Sequence, residues 1–273
     1  MISKDNTNNN NTNTYTALVT GASSGIGAAT AKQLAFAGFD LILLARRQDR
    51  LQSLKEQIHR ELLQAAKKNV QIELVSLDLT DRIALQNWLQ GQIKQGGLNH
   101  LKILVNNAGL AKGVEKVSQA QMSDWDLMLE TNVRALMYLS RNCADAIIKN
   151  KGHILNVGSV AGRWVYPGGA VYCATKFAVR AFSEGLRQDL SGTGVRVTNI
   201  EPGMVETEFS EVRFNNDKIK AQEVYKNMRP LTPNDLANTI LWCVQQPEHV
   251  NIQELVVFPT DQAAVGQVYR HTT

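Results

Sequence analysis

A tyrosine and a lysine stand one helical turn apart in the stretch "VYCATK", where only small residues separate Tyr172 from Lys176. Residues at this spacing lie on one face of an α-helix, so the phenol and the ammonium would project the same way. A tyrosine accepts a proton near neutral pH only if its pKa falls from ~10 by ~2–3 units, or ~3–4 kcal/mol. An ammonium at ~4 Å and an effective dielectric of ~20 supplies about that much. The alternative is a chance pairing, with a half-buried ring beside a lysine that reaches solvent.

The elements that would position this pair alternate along the chain. Short apolar runs are separated by longer segments with the periodicity of amphipathic helices. Because the runs are apolar throughout, they predict a parallel seven-stranded sheet with helices on both faces, which is the doubly wound α/β or Rossmann architecture. The predicted strands are 16–20, 40–45, 71–77, 101–107, 153–159, 195–200 and 254–258, and the predicted helices are 25–38, 50–68, 122–148, 169–190 and 233–246.

Composition narrows the possible classes of protein. The chain has 273 residues, 44% of them hydrophobic, which is enough for one large domain, predicted over residues 15–273. Residues 1–14 are rich in Asn and Thr and lack the apolar core of a signal peptide, so we expect a disordered tail. No stretch is long and apolar enough to span a membrane. A formal charge of +4 without a lysine-rich tract disfavours a nucleic-acid partner.

The cysteines and histidines show no pattern of a cross-link or a metal site. Cys143, Cys173 and Cys243 are odd in number and far apart, and the five histidines have no ligand spacing with them. We therefore expect neither a disulfide framework nor a bound metal, and a cytoplasmic location.

Glycines follow the first predicted strand, in the turn that opens the first predicted helix. They occur in the stretch "TGASSGIG". Glycines let the backbone approach a pyrophosphate and leave helix N–H groups aimed at it, at the end of the sheet where such folds bind ligands. A tight turn that binds no ligand is the alternative. The cofactor-binding residues predicted from this loop are Gly21, Ser23, Ser24, Gly25, Ile26 and Gly27.

Two arginines follow the second predicted strand, at the position that selects the cofactor. Arg46 and Arg47 replace the acid that would hold the ribose 2′-hydroxyl of NAD, so a 2′-phosphate, and hence NADP, is favoured. Solvated arginines at a helix start are the alternative. After the third strand, Asp78 and Leu79 are placed to border an adenine, although Asp78 also suits a helix N-cap. After the fourth strand, a small-residue turn beside the cofactor is predicted at Asn107, Ala108 and Gly109.

Five motifs in register resemble those of the short-chain dehydrogenase/reductase family. They are "TGASSGIG", "NNAG", Ser159, "YCATK" and "PGMVETEF", and the likeness extends from Tyr15 to about Thr260. The second half of the chain is most similar to the NADP-dependent branch that oxidises 3-hydroxy acids such as serine. The resemblance implies NADP as the cofactor and hydride transfer at a CH–OH group, with no metal.

The resemblance also implies roles for four catalytic residues. Tyr172 takes or gives the hydroxyl proton, while Lys176 favours the tyrosinate and holds the nicotinamide ribose. Ser159 orients the substrate oxygen through a hydrogen bond. Asn132, a poor helix former inside a predicted helix, would hold a water beside the lysine. An exposed asparagine in the middle of a helix is the alternative.

A loop and a lid are implied after the sixth predicted strand. The lid spans about 204–229 and closes over the substrate. A buried substrate carboxylate needs a positive partner, and a forked guanidinium suits its two oxygens. We expect Arg213 in the lid to bind it, with Arg163 as the rival and a solvated position as the further alternative for either. The residues expected to border the nicotinamide are Pro202, Gly203, Val205 and Thr207.

The sequence thus predicts NADP-dependent oxidation of small 3-hydroxy acids and hydroxy amino acids such as serine, or reduction of the corresponding carbonyls. Ser159, Tyr172 and Arg213 are the predicted substrate-binding residues. The alternatives are a 3-oxoacyl-thioester reductase, a broad carbonyl reductase and a non-catalytic NADP-binding regulator. The intact serine, tyrosine and lysine weigh against the regulator. Family resemblance also implies a homotetramer.

Overall fold

Seven strands form the central sheet in the computed structural model, which describes residues 14–272. They are β1 Thr16–Thr20, β2 Asp40–Ala45, β3 Ile72–Ser76, β4 Leu101–Asn106, β5 His153–Val157, β6 Arg196–Pro202 and β7 Glu254–Val257. All neighbouring strands are parallel, in the order β3-β2-β1-β4-β5-β6-β7. The predicted doubly wound α/β sheet is therefore confirmed. The predicted tail 1–14, apart from Thr14, lies outside the described residues.

The strand order reverses between β1 and β4, and this reversal opens a crevice at the carboxyl ends of the strands. Doubly wound sheets bind their ligands in that crevice. β5 and β6 are buried along their whole lengths, as expected of strands covered on both faces. The sheet thus brings the residues that follow β1, β2, β4, β5 and β6 to one edge.

Helices cover both faces of the sheet. The five predicted helical segments are present, but α3, α7 and α8 and a hairpin of β8 (Gln262–Ala264) and β9 (Gln267–Val268) were not predicted. α3 buries only Leu85 and Leu89, which is too weak a pattern for recognition, and α7 and α8 are very short. The helices are α1 Gly25–Phe36, α2 Gln48–Gln64, α3 Arg82–Gln95, α4 Met122–Leu129, α5 Ala135–Lys149, α6 Ala170–Asp189, α7 Phe209–Arg213, α8 Lys218–Glu223 and α9 Pro233–Val244.

A wide π-helical turn interrupts the long helix predicted over 122–148. α4 ends at Leu129, the π turn covers Glu130–Arg134, and α5 continues from Ala135. Asn132 lies within this turn and is 1% exposed. Because π turns are rare and often lie at functional sites, the interruption marks Asn132 as more than an ordinary helical residue.

Successive residues of the strands supply two separate cores, as the alternation of side chains requires. Leu18 of β1 packs in the core beneath α3 and α5, whereas Val19 packs in the core beneath α1, α2 and α9. A smaller third cluster contains Tyr172, Leu110 and Met128. The helix α6, which carries the predicted catalytic pair, is therefore anchored by apolar packing directly at the predicted site.

No helix in residues 14–272 is long and apolar enough to cross a membrane. Cys143, Cys173 and Cys243 are buried free thiols. Over the same described range, no group of three or more His, Cys, Asp or Glu side chains is arranged to hold a metal ion.

Candidate active site

A cavity of about 460 Å³ opens at the carboxyl ends of the strands, between the glycine loop after β1 and the predicted lid. Nearly all of the predicted site residues line it. Among the described residues, Gly27 and Asn132 are the two predicted site residues that do not line the cavity. Gly27 contacts Gly21 and Asn132 contacts Leu110, and both of these residues do line it. The predicted residues on the wall are Gly21, Ser23, Ser24, Gly25, Ile26, Arg46, Arg47, Asp78, Leu79, Asn107, Ala108, Gly109, Ser159, Tyr172, Lys176, Pro202, Gly203, Val205, Thr207 and Arg213.

The glycine loop has no space for side chains where it turns into α1. Gly21 and Gly25 have positive φ angles of 65° and 55°. A Cβ atom on Gly27 would lie 2.4 Å from the Gly21 carbonyl oxygen and 2.5 Å from Nδ2 of Asn107. Asn107 Nδ2 donates a hydrogen bond to the Thr20 carbonyl oxygen at 2.9 Å, which fixes the loop. This bare backbone at the start of a helix fits the pyrophosphate of a dinucleotide.

The two arginines after β2 have different surroundings. The side chain of Arg46 is 63% exposed, and its guanidinium lies 3.7 Å from the Asp78 carboxylate. Arg47 is engaged by the protein, because it donates hydrogen bonds to Ser24 Oγ and to Glu208 Oε2, each at 2.8 Å. Arg46 is therefore the arginine whose charge is open to a phosphate.

The segment after β3 turns at Asp78 before α3 begins. Asp78 Oδ1 accepts hydrogen bonds from the Thr80 backbone N–H at 2.9 Å and from the Thr80 hydroxyl at 2.8 Å. The N-cap of α3 is Asp81, which accepts from two backbone N–H groups of the first turn. The alternative interpretation of Asp78 as a helix N-cap is therefore wrong.

Tyr172 and Lys176 both project from α6 to the cavity wall, as their spacing predicts. They are 9% and 5% exposed, respectively. Lys176 Nζ lies 5.8 Å from the centroid of the Tyr172 ring and donates a hydrogen bond to the Val157 carbonyl oxygen at 2.8 Å. Ser159, just after β5, is hydrogen-bonded to Tyr172, and its Oγ accepts from the Ala161 N–H at 3.1 Å. The three predicted catalytic side chains thus lie together.

Burial governs the pKa values of this pair. It raises the pKa of the Tyr172 phenol well above its usual value of 10.0, and the hydrogen bond with Ser159 lowers that pKa by less. Burial also lowers the pKa of Lys176 from 10.5 to about 8. The net direction of the Tyr172 pKa is therefore opposite to the fall expected from its spacing with Lys176, because removal of the phenol from water disfavours the tyrosinate more than its neighbours favour it. The role of Lys176 in favouring the tyrosinate stays a prediction.

The lowered pKa of Lys176 predicts a specific pH dependence of stability. Between about pH 8 and pH 10.5, the unfolded chain binds the proton that the folded protein releases, so the free energy of unfolding rises with pH. Lys176→Met removes this titration. We expect the free energy of unfolding of the variant, taken relative to that of the parent, to be about 3 kcal/mol higher at pH 7 than at pH 10.5. Urea unfolding at both pH values measures the difference, and a difference independent of pH contradicts the assignment.

Asn132 bonds to the backbone of the neighbouring cavity wall. Its Oδ1 accepts from the Leu110 N–H at 2.9 Å, and its Nδ2 donates to the Leu110 carbonyl oxygen at 2.8 Å and to Thr175 Oγ1 at 3.1 Å. The alternative of an exposed asparagine is therefore wrong. A Cβ on Gly109 would lie 3.2 Å from Asn132 Oδ1 and 3.5 Å from Lys176 Nζ, so both side chains approach Gly109. The role of Asn132 in holding a water beside Lys176 stays a prediction.

The structure separates the two arginines proposed for a substrate carboxylate. Arg213 lines the cavity, donates from Nη1 to the Tyr166 hydroxyl at 3.1 Å, and has its guanidinium 5.2 Å from the Tyr166 ring centroid. Its Nε is buried without a hydrogen-bond partner within the described part of the chain. Arg163 instead forms ion pairs with Glu201 and Glu254, outside the described cavity wall. These positions favour Arg213 over Arg163, and the binding of a substrate carboxylate by Arg213 stays a prediction.

Contacts between distant parts of the chain hold the predicted lid against the site. The Phe209 ring in α7 packs edge-on against Tyr172, with ring centroids 5.6 Å apart. The Tyr225 hydroxyl donates to the Val205 carbonyl oxygen at 2.8 Å. Gln262 Oε1 accepts a hydrogen bond at 2.8 Å from the backbone N–H of Met204. None of these contacts was predicted, because no local motif marks a side chain whose partner is far away in sequence.

Comparison with known proteins agrees with this geometry. A family model described as short chain dehydrogenase matches residues 15–218. Serine 3-dehydrogenase of Agrobacterium fabrum is 41% identical over 258 residues, covering 94% of this chain and 99% of that protein. The NADP-dependent 3-hydroxy acid dehydrogenase YdfG of Escherichia coli (strain K12) is 42% identical over 251 residues, covering 91% of this chain and 96% of that protein.

A solved structure gives the same result. The closed form of serine dehydrogenase complexed with NADP+ matches with a TM-score of 0.82 at 41% identity, over 94% of this chain and 100% of that chain. The chain therefore belongs to the short-chain dehydrogenase/reductase family. The resemblance drawn from its motifs is confirmed, down to the serine and 3-hydroxy acid dehydrogenases as its similar relatives.

Proposed function

We propose that the protein is an NADP-dependent dehydrogenase that oxidises small 3-hydroxy acids and hydroxy amino acids such as serine, or reduces the corresponding carbonyls. The observation that carries this proposal is the half-buried guanidinium of Arg213 on the wall of the cavity that also holds Tyr172 and Ser159. Its Nε is buried without a hydrogen-bond partner among the described residues. A cation of this kind suits a substrate with a carboxylate near its reacting hydroxyl. The names of the serine and 3-hydroxy acid dehydrogenase relatives support the same substrate class.

The protein's own groups handle the proton. In oxidation, the deprotonated Tyr172 oxygen takes the hydroxyl proton of the substrate while Ser159 holds the substrate oxygen. The carbon–oxygen bond becomes a carbonyl as the same carbon loses its hydride. In reduction, Tyr172 returns the proton. When bound, NADP supplies the carbon that accepts or gives the hydride. Because burial keeps the phenol protonated, Tyr172 is ready as the acid, and its use as a base needs added positive charge nearby.

Lys176 and Asn132 support this exchange. The lysine Nζ has one donor on the Val157 carbonyl oxygen, which leaves donors for the nicotinamide ribose. Both side chains approach Gly109, at the turn after β4. We propose that Asn132 keeps this turn in place and, with Lys176, holds the water that passes protons to solvent.

We propose that Arg46 binds the 2′-phosphate of NADP. Its exposed guanidinium makes a single 3.7 Å approach to a carboxylate, so a phosphate gains a full charge-assisted contact there. We expect Arg46→Ala to weaken NADP binding by roughly 10-fold or more, the equivalent of ~1.5–3 kcal/mol, and to leave NAD binding nearly unchanged. Fluorescence titration with NADPH and NADH measures both. Equal losses would mean that Arg46 is only a solvated surface charge.

We also propose the homotetramer that the family resemblance implies and the cytoplasmic location that the cysteine pattern favours. β7 is the end strand of the sheet, and its Val256 side chain is 39% exposed. Trp242 on α9 is 48% exposed. An end strand and a helix with exposed apolar side chains are typical of a surface that packs against another subunit.

A steady-state panel tests the proposed function. 3-Hydroxypropionate, L-serine and 1-propanol are offered with NADP+ and NAD+, and acetoacetyl-CoA with NADPH and NADH. We expect the two hydroxy acids with NADP+ to have the highest kcat/KM. Greater efficiency with the thioester or the uncharged alcohol would favour one of the reductase alternatives, and no turnover at all would favour the regulator.

A further inference from the structure

The guanidinium of Arg47 bridges the glycine loop and the base of the predicted lid, which is the segment at Thr207 and Glu208. Nε and Nη2 donate to Ser23 Oγ at 3.3 and 3.1 Å, and Nη2 also donates to Ser24 Oγ at 2.8 Å. Nη1 donates to Glu208 Oε2 at 2.8 Å. These bonds occupy nearly all of the N–H donors of a guanidinium. Arg47 is therefore committed to protein partners.

Glu208 is held on both of its carboxylate oxygens. Oε2 accepts from Arg47, and Oε1 accepts from Arg50 Nη1 at 2.6 Å. Glu208 belongs to the stretch "PGMVETEF", but no role was predicted from sequence for it or for Arg50. A carboxylate with one arginine on each oxygen is fixed in position by charge-assisted hydrogen bonds.

The bridge joins two parts of the site with different tasks. Glu208 immediately precedes α7, the helix that ends at Arg213. Beside the bridge, a Cβ on Gly25 would lie 3.3 Å from Thr207 Cγ2, so the glycine loop and the lid base touch there. Movement of the lid base must therefore break the bond between Arg47 and Glu208 or carry the glycine loop with it.

We propose that Arg47, Arg50 and Glu208 form a clasp that positions Arg213 by fixing the lid base on the glycine loop, while Arg46 alone reads the 2′-phosphate. The inference rests on the proposed function for its substrate readout. Arg47 and Glu208 act through the lid and not on the reacting atoms. Loss of the clasp therefore affects the enzyme with NADP and with NAD alike. The partners are 41% and 36% exposed, so added salt weakens the clasp.

Kinetics with matched variants tests the clasp. Glu208→Gln keeps the shape of the side chain and removes its charge. We expect it to raise KM for 3-hydroxypropionate roughly fivefold with either cofactor, the size that a partly exposed ion pair supports, with a smaller change in kcat. Arg47→Met should behave alike, and the double variant should be no worse than the worse single variant, because both changes remove one interaction. The control, Arg46→Met, should weaken NADP binding selectively.

Hydrogen–deuterium exchange gives a readout that does not depend on turnover. In the NADPH-bound protein, the α7 amides should exchange faster in Glu208→Gln than in the parent or in Arg46→Met. If 3-hydroxy acids prove not to be substrates, this difference still supports the clasp, and the two failures are told apart. Unchanged α7 exchange, fully additive effects of the two substitutions, or a selective loss of NADP in Glu208→Gln would each overturn the clasp.

Discussion

We expect Tyr172→Phe to lower turnover by about 10³-fold or more and to leave NADPH binding nearly intact. The phenol oxygen is the group proposed to move the proton, and positioned proton transfer contributes ~10²–10⁴-fold to enzymatic rates. The ring itself only packs: it lies against Phe209 within a small apolar cluster, and phenylalanine fills the same space. Rate measurement beside fluorescence titration of NADPH separates chemistry from binding.

Tyr138→Phe is the matched control for this substitution. Tyr138 lies on α5, outside the described cavity wall, with its ring beside the Arg134 guanidinium. We expect this variant to keep the parent rate. A Tyr172→Phe variant that retains most of its activity would contradict the proposed mechanism. A variant that no longer binds NADPH would show that the phenol is needed for cofactor binding.

We expect Arg213→Met to cause a selective loss of activity with carboxylate substrates. Removing one partner of a buried charged pair costs about 2 kcal/mol or more, so kcat/KM for L-serine and 3-hydroxypropionate should fall at least ~30-fold. An uncharged alcohol of similar size should lose far less, because methionine keeps the apolar stem of the side chain. The measurement is kcat/KM for the charged and uncharged substrates in parent and variant.

The rival arginine is the natural control for Arg213. Arg163 is held by Glu201, which is 0% exposed, and by Glu254. Arg163→Met leaves the buried Glu201 carboxylate with the more distant Arg180, at 3.8 Å, and a hydrogen bond from Asn199 Nδ2. It should therefore lower stability, with no preference between charged and uncharged substrates. Parallel losses for both substrates in Arg213→Met would show only a disturbed lid, and no loss would indicate a substrate without a carboxylate.

The sheet could be predicted from sequence because most of its strands are short apolar runs, and β5 and β6 are buried along their whole lengths. α3 could not, since Leu85 and Leu89 are its only fully buried residues and the pattern is too sparse. The π turn at Asn132 was missed for a different reason. Its residues continue the helical periodicity, and only the backbone of the folded chain shows the wider turn.

The candidate site was predictable wherever a local motif carried the chemistry. The glycine loop and the pair Tyr172 and Lys176 are of this kind. The choice between Arg213 and Arg163 was not, because it depends on ion pairs with residues of β6 and β7. The direction of the Tyr172 pKa was also out of reach, since burial of the phenol, and not its sequence neighbour, decides it.

Transfer of deuterium from the substrate to NADPH directly tests the proposed hydride transfer at the CH–OH carbon. 3-Hydroxypropionate with deuterium at both C3 hydrogens is offered to the protein with NADP+, and the NADPH formed is examined by mass spectrometry and NMR. Hydride transfer from the CH–OH carbon predicts one deuterium in each NADPH, located at C4 of the nicotinamide. NADPH without deuterium, or no NADPH at all from any 3-hydroxy acid, would contradict the account.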